Sequence, residues 1–321
     1  MSKRTIAKFF IFVILIVAPG LGSAACSVLS SKEPGGPNPA VSSPRYEEPK
    51  VIGTIKSQEI TESSGLVASK CQAGVYWTHN DSGDGPFVFA INTAGGTLGV
   101  WRVQNAENED WEDIAEYKDA LGSCFIYIGE IGDSKFKRPN EHIIYRVREP
   151  VVANSGAPTN EDHAIMTEPA ESIIFKYPDR NHNAETLMVH PRTGDIYVLT
   201  KVTTGPSGVY KIRPDFGSAT LVTAQKIAAI SVPSVPNGLL TGGDIAPDAS
   251  HVVICDYAGA YEMTLPAEAR AFDDIWKQSP ERINIGKLEQ GEAVCYSADG
   301  SSILATSEGK HAPIVEVKRR Q

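Results

Sequence analysis

The chain has 321 residues, enough for one large β domain or two ordinary ones. Its 28 glycines, 21 prolines and 41% hydrophobic content mark a globular chain and exclude a disordered or collagen-like one. The net charge is −9, and the one basic cluster beyond the first residues, Lys318-Arg319-Arg320, reads as a solvated tail, which excludes nucleic acid as an expected partner.

The first residues read as an export signal spanning 1–25. Lys3, Arg4 and Lys8 precede an apolar run from Phe9 to Ala18, and Pro19-Gly20 breaks it before Ser23-Ala24-Ala25. The run is too short to span a bilayer as a helix. Its removal takes three basic groups and no acid, leaving −12. Cys26 would then stand first and is a candidate for lipidation, although Ser23 occupies the position where a lipobox usually has Leu. The Ser, Pro and Gly content of Ser27 to Pro44 suits a flexible tether, drawn over residues 26–49. The expectation is an exported protein. A periplasmic or cell-surface lipoprotein held by one acyl anchor is preferred to plain secretion, with no other membrane contact.

Residues 50–321 read as a single all-β domain. Helical periodicity is nearly absent, with one candidate short helix or turn from Pro266 to Lys277. The recurring element is a short strand rich in Val, Ile, Tyr and Phe between Gly, Pro, Asp or Ser. Val51-Ile52-Gly53-Thr54-Ile55 is a strand with no unit of its own. The first unit takes Ser63 to Ala68, Gly74 to Asp81, Phe87 to Ile91 and Gly96 to Val103. The second begins at Glu112-Asp113-Ile114, continues through Phe125 to Asp133 and His142 to Val147, and closes with Ser172 to Tyr177. The third takes Ala184 to Val189, Ile196 to Lys201, Val209 to Ile212 and Ala219 to Ile227. The fourth takes Gly243 to Ala246, His251 to Tyr257, Ala260 to Leu265 and Ile283 to Leu288. The fifth takes Glu292 to Tyr296, Ile303 to Glu308 and Ile314 to Lys318, and then the chain ends. This repeat predicts a β-propeller of five blades, its ring closed by the N-terminal strand as the missing outer strand of the last blade. Six blades is the alternative if Val152 to Thr167 hides a degenerate one. A two-domain β-sandwich accounts for the strands but not for the repeat.

In a blade the start of the first strand and the end of the second share a face. Strand starts supply Glu62, Glu112, Asp113, Glu185, Asp244 and Glu292. Strand ends supply His79, Asn80, Asp81, Glu130, Asp133, Lys201, Asp256 and Glu308. The opposite face receives ordinary turn residues: Lys70, Arg192-Thr193-Gly194 and Asp299-Gly300. Acids so crowded need a cation, raised pKa values, or pairing with Lys201 and His79. Hard oxygen ligands suit a divalent cation, calcium first and magnesium next, both before zinc, held by Glu112, Asp113, Glu185 and Glu292. Glu112, Asp113, Glu185, Lys201 and His79 are the candidate catalytic set, and Asn80, Asp81, Glu130, Asp133, Asp244 and Glu308 the candidate binding set. A serine nucleophile at Ser82 lacks the elbow motif it needs. Cys71 and Cys124 fall on the far face of neighbouring blades and can form a disulfide; Cys255 and Cys295 can pair or stay free.

Five motifs carry a resemblance: Trp77 to Ser82, Asp110 to Ala115, Gly129 to Asp133, Ala184 to Leu187 and Gly291 to Ala293. Together they resemble an uncharacterised family of secreted bacterial propeller proteins, over about Ile60 to Glu308. Glu130 stands where that family more often has Asp. More distantly the chain is similar to phytase-like and lactonase-like propellers, whose channel often holds calcium. The resemblance implies a fold and a place for the site, not a reaction. The expected protein is a monomer taking a small-molecule or surface ligand, either a metal-dependent hydrolase of a phosphoester, lactone or similar ester, or a non-catalytic binding or structural propeller.

Overall fold

Each short apolar run pairs mainly with runs close to it in sequence, so the chain builds successive antiparallel sheets rather than one continuous one. The computed structural model describes residues 45–135, 138, 141–152, 160–217, 220–233 and 239–320, all within the unit Ala40–Gln321. The export signal, Cys26 and most of the tether lie outside the described residues.

The strand β1 (Lys50–Thr54) precedes the first blade, which is β2 (Ser63–Ala68), β3 (Tyr76–Asn80), β4 (Phe87–Ile91) and β5 (Thr97–Gln104). Blade 2 is β6 (Trp111–Lys118), β7 (Cys124–Glu130) and β8 (His142–Arg148); β9 (Ile165–Pro169) then returns to blade 1, parallel to β5, before β10 (Glu171–Lys176) completes blade 2. Blade 3 is β11 (Ala184–Val189), β12 (Ile196–Thr200), β13 (Ser207–Ile212) and, after β14 (Val222–Thr223), β15 (Gln225–Ile230). Blade 4 is β16 (Leu240–Ile245), β17 (His251–Asp256), β18 (Gly259–Thr264) and β19 (Glu281–Ile283). Blade 5 is β20 (Gly291–Tyr296), β21 (Ser302–Ser307) and β22 (Pro313–Lys318), with β1 antiparallel to β22 as its outer strand.

Five blades closed by the N-terminal strand are therefore present, as the repeat predicts. The described part of the 152–167 insert makes no sixth blade, because β9 has an outer edge of blade 1 to pair with. Two outer strands and the candidate helix differ from expectation. Of the expected strand 219–227, residue 219 lies outside the described residues, and the rest splits between β14, which adds to blade 2 in parallel, and β15. Blade 4 closes with residues 281–283 rather than 283–288, and the candidate helix shortens to a 3-10 turn, Phe272–Lys277. Outer strands carry the weakest pattern because one edge faces solvent.

Period-2 alternation becomes inter-blade packing. Ile196 and Val198 of β12 pack toward blade 2, while Tyr197 and Leu199 pack toward blade 4. Each of the five apolar clusters is likewise shared by two adjacent blades, the last joining blades 5 and 1. Each large side chain so buried contributes roughly 1.5–3 kcal/mol.

The closure extends ahead of β1. Tyr46 is buried, and its hydroxyl donates to Glu262 at 2.5 Å; Arg319 donates to the same carboxylate at 2.6 Å and to the Tyr46 hydroxyl at 2.7 Å. Arg320 donates to the Tyr46 carbonyl at 2.8 Å. The basic tail is thus a clasp and not the solvated end its composition suggests. On the far face a disulfide joins Cys71 and Cys124, with Cα atoms 6.2 Å apart, whereas Cys255 and Cys295 are free and buried.

Candidate functional site

Every innermost strand carries a bulge at the same level. In β2, β6, β11, β16 and β20 the ladder skips one residue: Ser64, Glu112, Glu185, Thr241 and Glu292 respectively. A bulged residue leaves the pleat and re-aims its side chain. The hydroxyls of Ser64 and Thr241 turn into the wall and donate to the Glu112 and Gly291 carbonyls of the next blade, at 2.7 and 2.8 Å. The three glutamates couple electrostatically at the channel mouth, but among the described residues only Glu112 belongs to a group of acids within 4.8 Å of one another. Each of the three is nine-tenths or more buried, and Glu185 raises the pKa of both Glu112 and Glu292.

Around Glu112 the acids converge further. Carboxylate oxygens of Asp81, Asp110 and Glu112 all lie within 4.8 Å of one another. Glu130 builds this arrangement, accepting from the Glu109 and Asp110 amides at 2.9 Å each while Arg138 pairs with it. Gly132 leaves the space for it, since a Cβ there would collide with Glu112 Oε1 and Asp110 Oδ2. Glu112 as a residue is 6% exposed, and its carboxylate has no hydrogen-bond donor among the described residues. Burial, then Glu185, Asp81 and Asp110, push its pKa well up, against the pull of Lys201. Burial pushes Asp81 to about 7, and burial with Glu185 pushes Glu292 to about 9. An orphaned carboxylate in a cradle of two others fits a hard cation.

Lys201 supplies the positive charge. It ion-pairs with Glu185 and donates to the Tyr257 hydroxyl, its ammonium 4.6 Å from the centre of that ring. Burial alone would lower its pKa, but Glu185 and Glu292 more than reverse this and keep it charged. Asn183 donates to Glu185 at 3.2 Å, and Gln290 bridges Glu292 and Glu308 at 2.8 and 2.7 Å.

Other expected site residues lie elsewhere. Asp113 is one layer deeper, where it accepts from the amides of Ile114 at 2.8 Å, Leu187 at 2.9 Å and Gly243 at 3.3 Å. It ties blades 2, 3 and 4 across the axis instead of joining the mouth. Asp244 is deeper still: β16 begins at Leu240, so Asp244 falls near the far end, accepting from Ile245 and Tyr296 amides and feeling Lys70. His79 is fully buried, edge-on to Trp111, with burial lowering its pKa to about 4. Such a ring is uncharged at neutral pH and cannot pair with the acids. Asn80 accepts from the Thr61 and Glu62 amides and donates to the Glu59 carbonyl, so it fastens the loop before β2. Asp133 stays beside the groove lined by Asn181 and Asn183, accepting from Asn181 at 2.7 Å and donating its amide to Asn183 at 2.6 Å. Asp256 caps its own turn, and Glu62 is exposed outside the mouth.

Beside Glu185 and Lys201 a groove of about 400 Å³ opens, walled by Arg180, His182, Thr203 and Thr204 among others. A larger cleft of about 650 Å³ lies on the opposite face, around His190, Arg192 and Phe272, away from the acids. Asp110, Tyr257, His182 and Gln290 are site residues that strand-position reasoning did not select. Asp110 adjoins the acidic motif and was within reach of sequence; the others depend on loop paths.

No family model matches this chain, and no curated protein matches it. Among solved structures, the WD40 repeats of RRP9 match with a TM-score of 0.42 and 7% identity, over 86% of this chain and 100% of that one.

Proposed function

We propose that this is an exported, lipid-anchored propeller that holds a divalent cation, calcium by preference, at the acidic mouth and hydrolyses an ester there. The observation that carries the reading is the Glu112 carboxylate, without a hydrogen-bond donor among the described residues, held against Asp81 and Asp110 where Gly132 leaves room for the carboxylate tips. Asp81, Asp110 and Glu112 hold the ion, with Glu185 and Glu292 alongside. When bound, the ion supplies Lewis-acid polarisation of the substrate oxygen. Lys201, fixed by Glu185 and Tyr257, stabilises the negative charge that develops on that oxygen. Proton transfer falls to His182 rather than His79. Its Nε2 lies 2.9 Å from both Asp179 and the Tyr210 hydroxyl, and Nδ1 has no partner among the described residues.

A second reading, an ion that only ties the blades in a binding or structural propeller, draws on Asp113 bridging the axis beneath the ring. Calcium should raise the melting temperature, and Glu112→Gln should remove that rise; indifference to every divalent ion rejects the metal site. A panel of phosphoester, lactone and glycoside substrates separates the two readings, since a binder turns over none. Cys26→Ser should move the protein out of the membrane fraction if the anchor is correct.

A further inference from the structure

The mouth is divided by charge. Asp81, Asp110, Glu112 and Glu292 occupy one side, while the groove on the other side has Glu185 as the one carboxylate in its described lining. That carboxylate is already engaged by Lys201 and Asn183. What remains in the groove includes two cations and three hydroxyls free to donate. The guanidinium of Arg180 is exposed and makes no ion pair among the described residues, and the hydroxyls of Ser134, Thr203 and Thr204 make no hydrogen bond there. Lys201 at the inner end uses two of its three ammonium hydrogens, on Glu185 and Tyr257.

Donors without acceptors match a ligand group that only accepts. They come from three separate segments, at 134, 180 and 201–204, and so surround a ligand rather than face it from one side. A tetrahedral group with three outward oxygens meets such a set better than a planar carboxylate with two. We infer that this groove seats the phosphoryl group of an anionic substrate, with Arg180 at the rim, Ser134, Thr203 and Thr204 along the walls and Lys201 at the inner end. The inference rests on the cation reading above in one respect: with the mouth carboxylates uncompensated, a phosphoryl dianion beside them is repelled. Ion and phosphoryl group therefore bind with positive coupling, each strengthening the other.

The test titrates inorganic phosphate into the full chain by calorimetry, with and without calcium. Wild type should bind phosphate, and more tightly with calcium present. Arg180→Ala, a surface change, should weaken phosphate roughly tenfold while leaving the calcium-induced rise in melting temperature intact, and Arg180→Lys should recover part of the loss. Glu112→Gln should abolish the calcium enhancement while calcium-free phosphate binds at least as tightly as in the wild type, since one repelling carboxylate is gone. Phosphate binding that Arg180→Ala does not weaken overturns the inference, as does acetate binding as tightly as phosphate. Calcium stabilisation with no phosphate binding sinks the groove and leaves the ion site standing. Phosphate binding lost in Arg180→Ala, with no calcium effect at all, upholds the groove and rejects the ion.

Discussion

Glu112→Gln is the sharpest perturbation, because its effect should reverse sign with calcium. The oxygens of Asp81, Asp110 and Glu112 lie within 4.8 Å of one another, so at an effective dielectric of about 20 each ionised pair costs about 3.5 kcal/mol and the three together about 10. That rivals the whole stability of an ordinary domain, about 5–15 kcal/mol, so protons or a cation must intervene. Burial and the neighbouring acids raise Asp81 to about 7 and Glu292 to about 9, both far above the ordinary carboxylate range, and raise Glu112 as well. The folded state thus binds more protons than the unfolded state between about pH 4.5 and pH 9, and metal-free stability falls as pH rises through that window. Glutamine removes two of the three charge pairs. Proton uptake and water at the partly exposed Asp81 and Asp110 reduce the ceiling to about 2 kcal/mol at pH 9, roughly 4–8 °C in melting temperature. At pH 5, where the wild-type carboxyl is protonated, the two proteins should melt together. With calcium at pH 9 the order should invert, since wild type keeps all three ligands. Scanning calorimetry in chelator and in calcium at both pH values measures this. A variant no more stable than wild type at pH 9 in chelator, or equally stabilised by calcium, would refute the reasoning.

Three further outcomes follow from other residues. Gly132→Ala places a methyl group against Glu112 Oε1 and Asp110 Oδ2 and should abolish the calcium-dependent rise in melting temperature while the far-UV spectrum stays that of the wild type. Asp113→Ala orphans three buried amides, each worth about 1–3 kcal/mol, so denaturant titration should show a loss of roughly 3 kcal/mol or more. Calcium affinity in any folded fraction of that variant should be unchanged, because Asp113 is not at the mouth. Replacing Cys71 and Cys124 with serine opens a crosslink across a separation of 53 residues and should cost about 4 kcal/mol on the chain-entropy account, read as a lower denaturant midpoint.

The channel-mouth acids show why a site can be located but not specified from sequence. A period-2 reading puts Glu112 and Asp113 on opposite faces of β6, yet gives no way to choose between them. The bulge chooses. By dropping Glu112 out of the ladder it turns that residue into the mouth and sends Asp113 into the wall, where three amides need an acceptor. Asp244 failed for a related reason. The sequence reading starts that strand at Gly243, which puts Asp244 at its head, but the strand already runs from Leu240, and Gly242 in its interior is kept small because a Cβ there would approach the Glu292 carbonyl to 2.8 Å.

Sequence alone determined the all-β class, the five units and the closing strand. All of these follow from local alternation, turn residues and the order of the chain, which a propeller preserves because its blades are consecutive. Tertiary structure alone decided which acids converge, that His79 is buried and His182 is not far from Lys201, and that the basic tail clasps Tyr46 and Glu262. Those facts depend on bulges, on loops that cross between blades and on contacts between the two ends of the chain. None of them leaves a periodic trace, because each is fixed by the closing of the ring and not by any one strand.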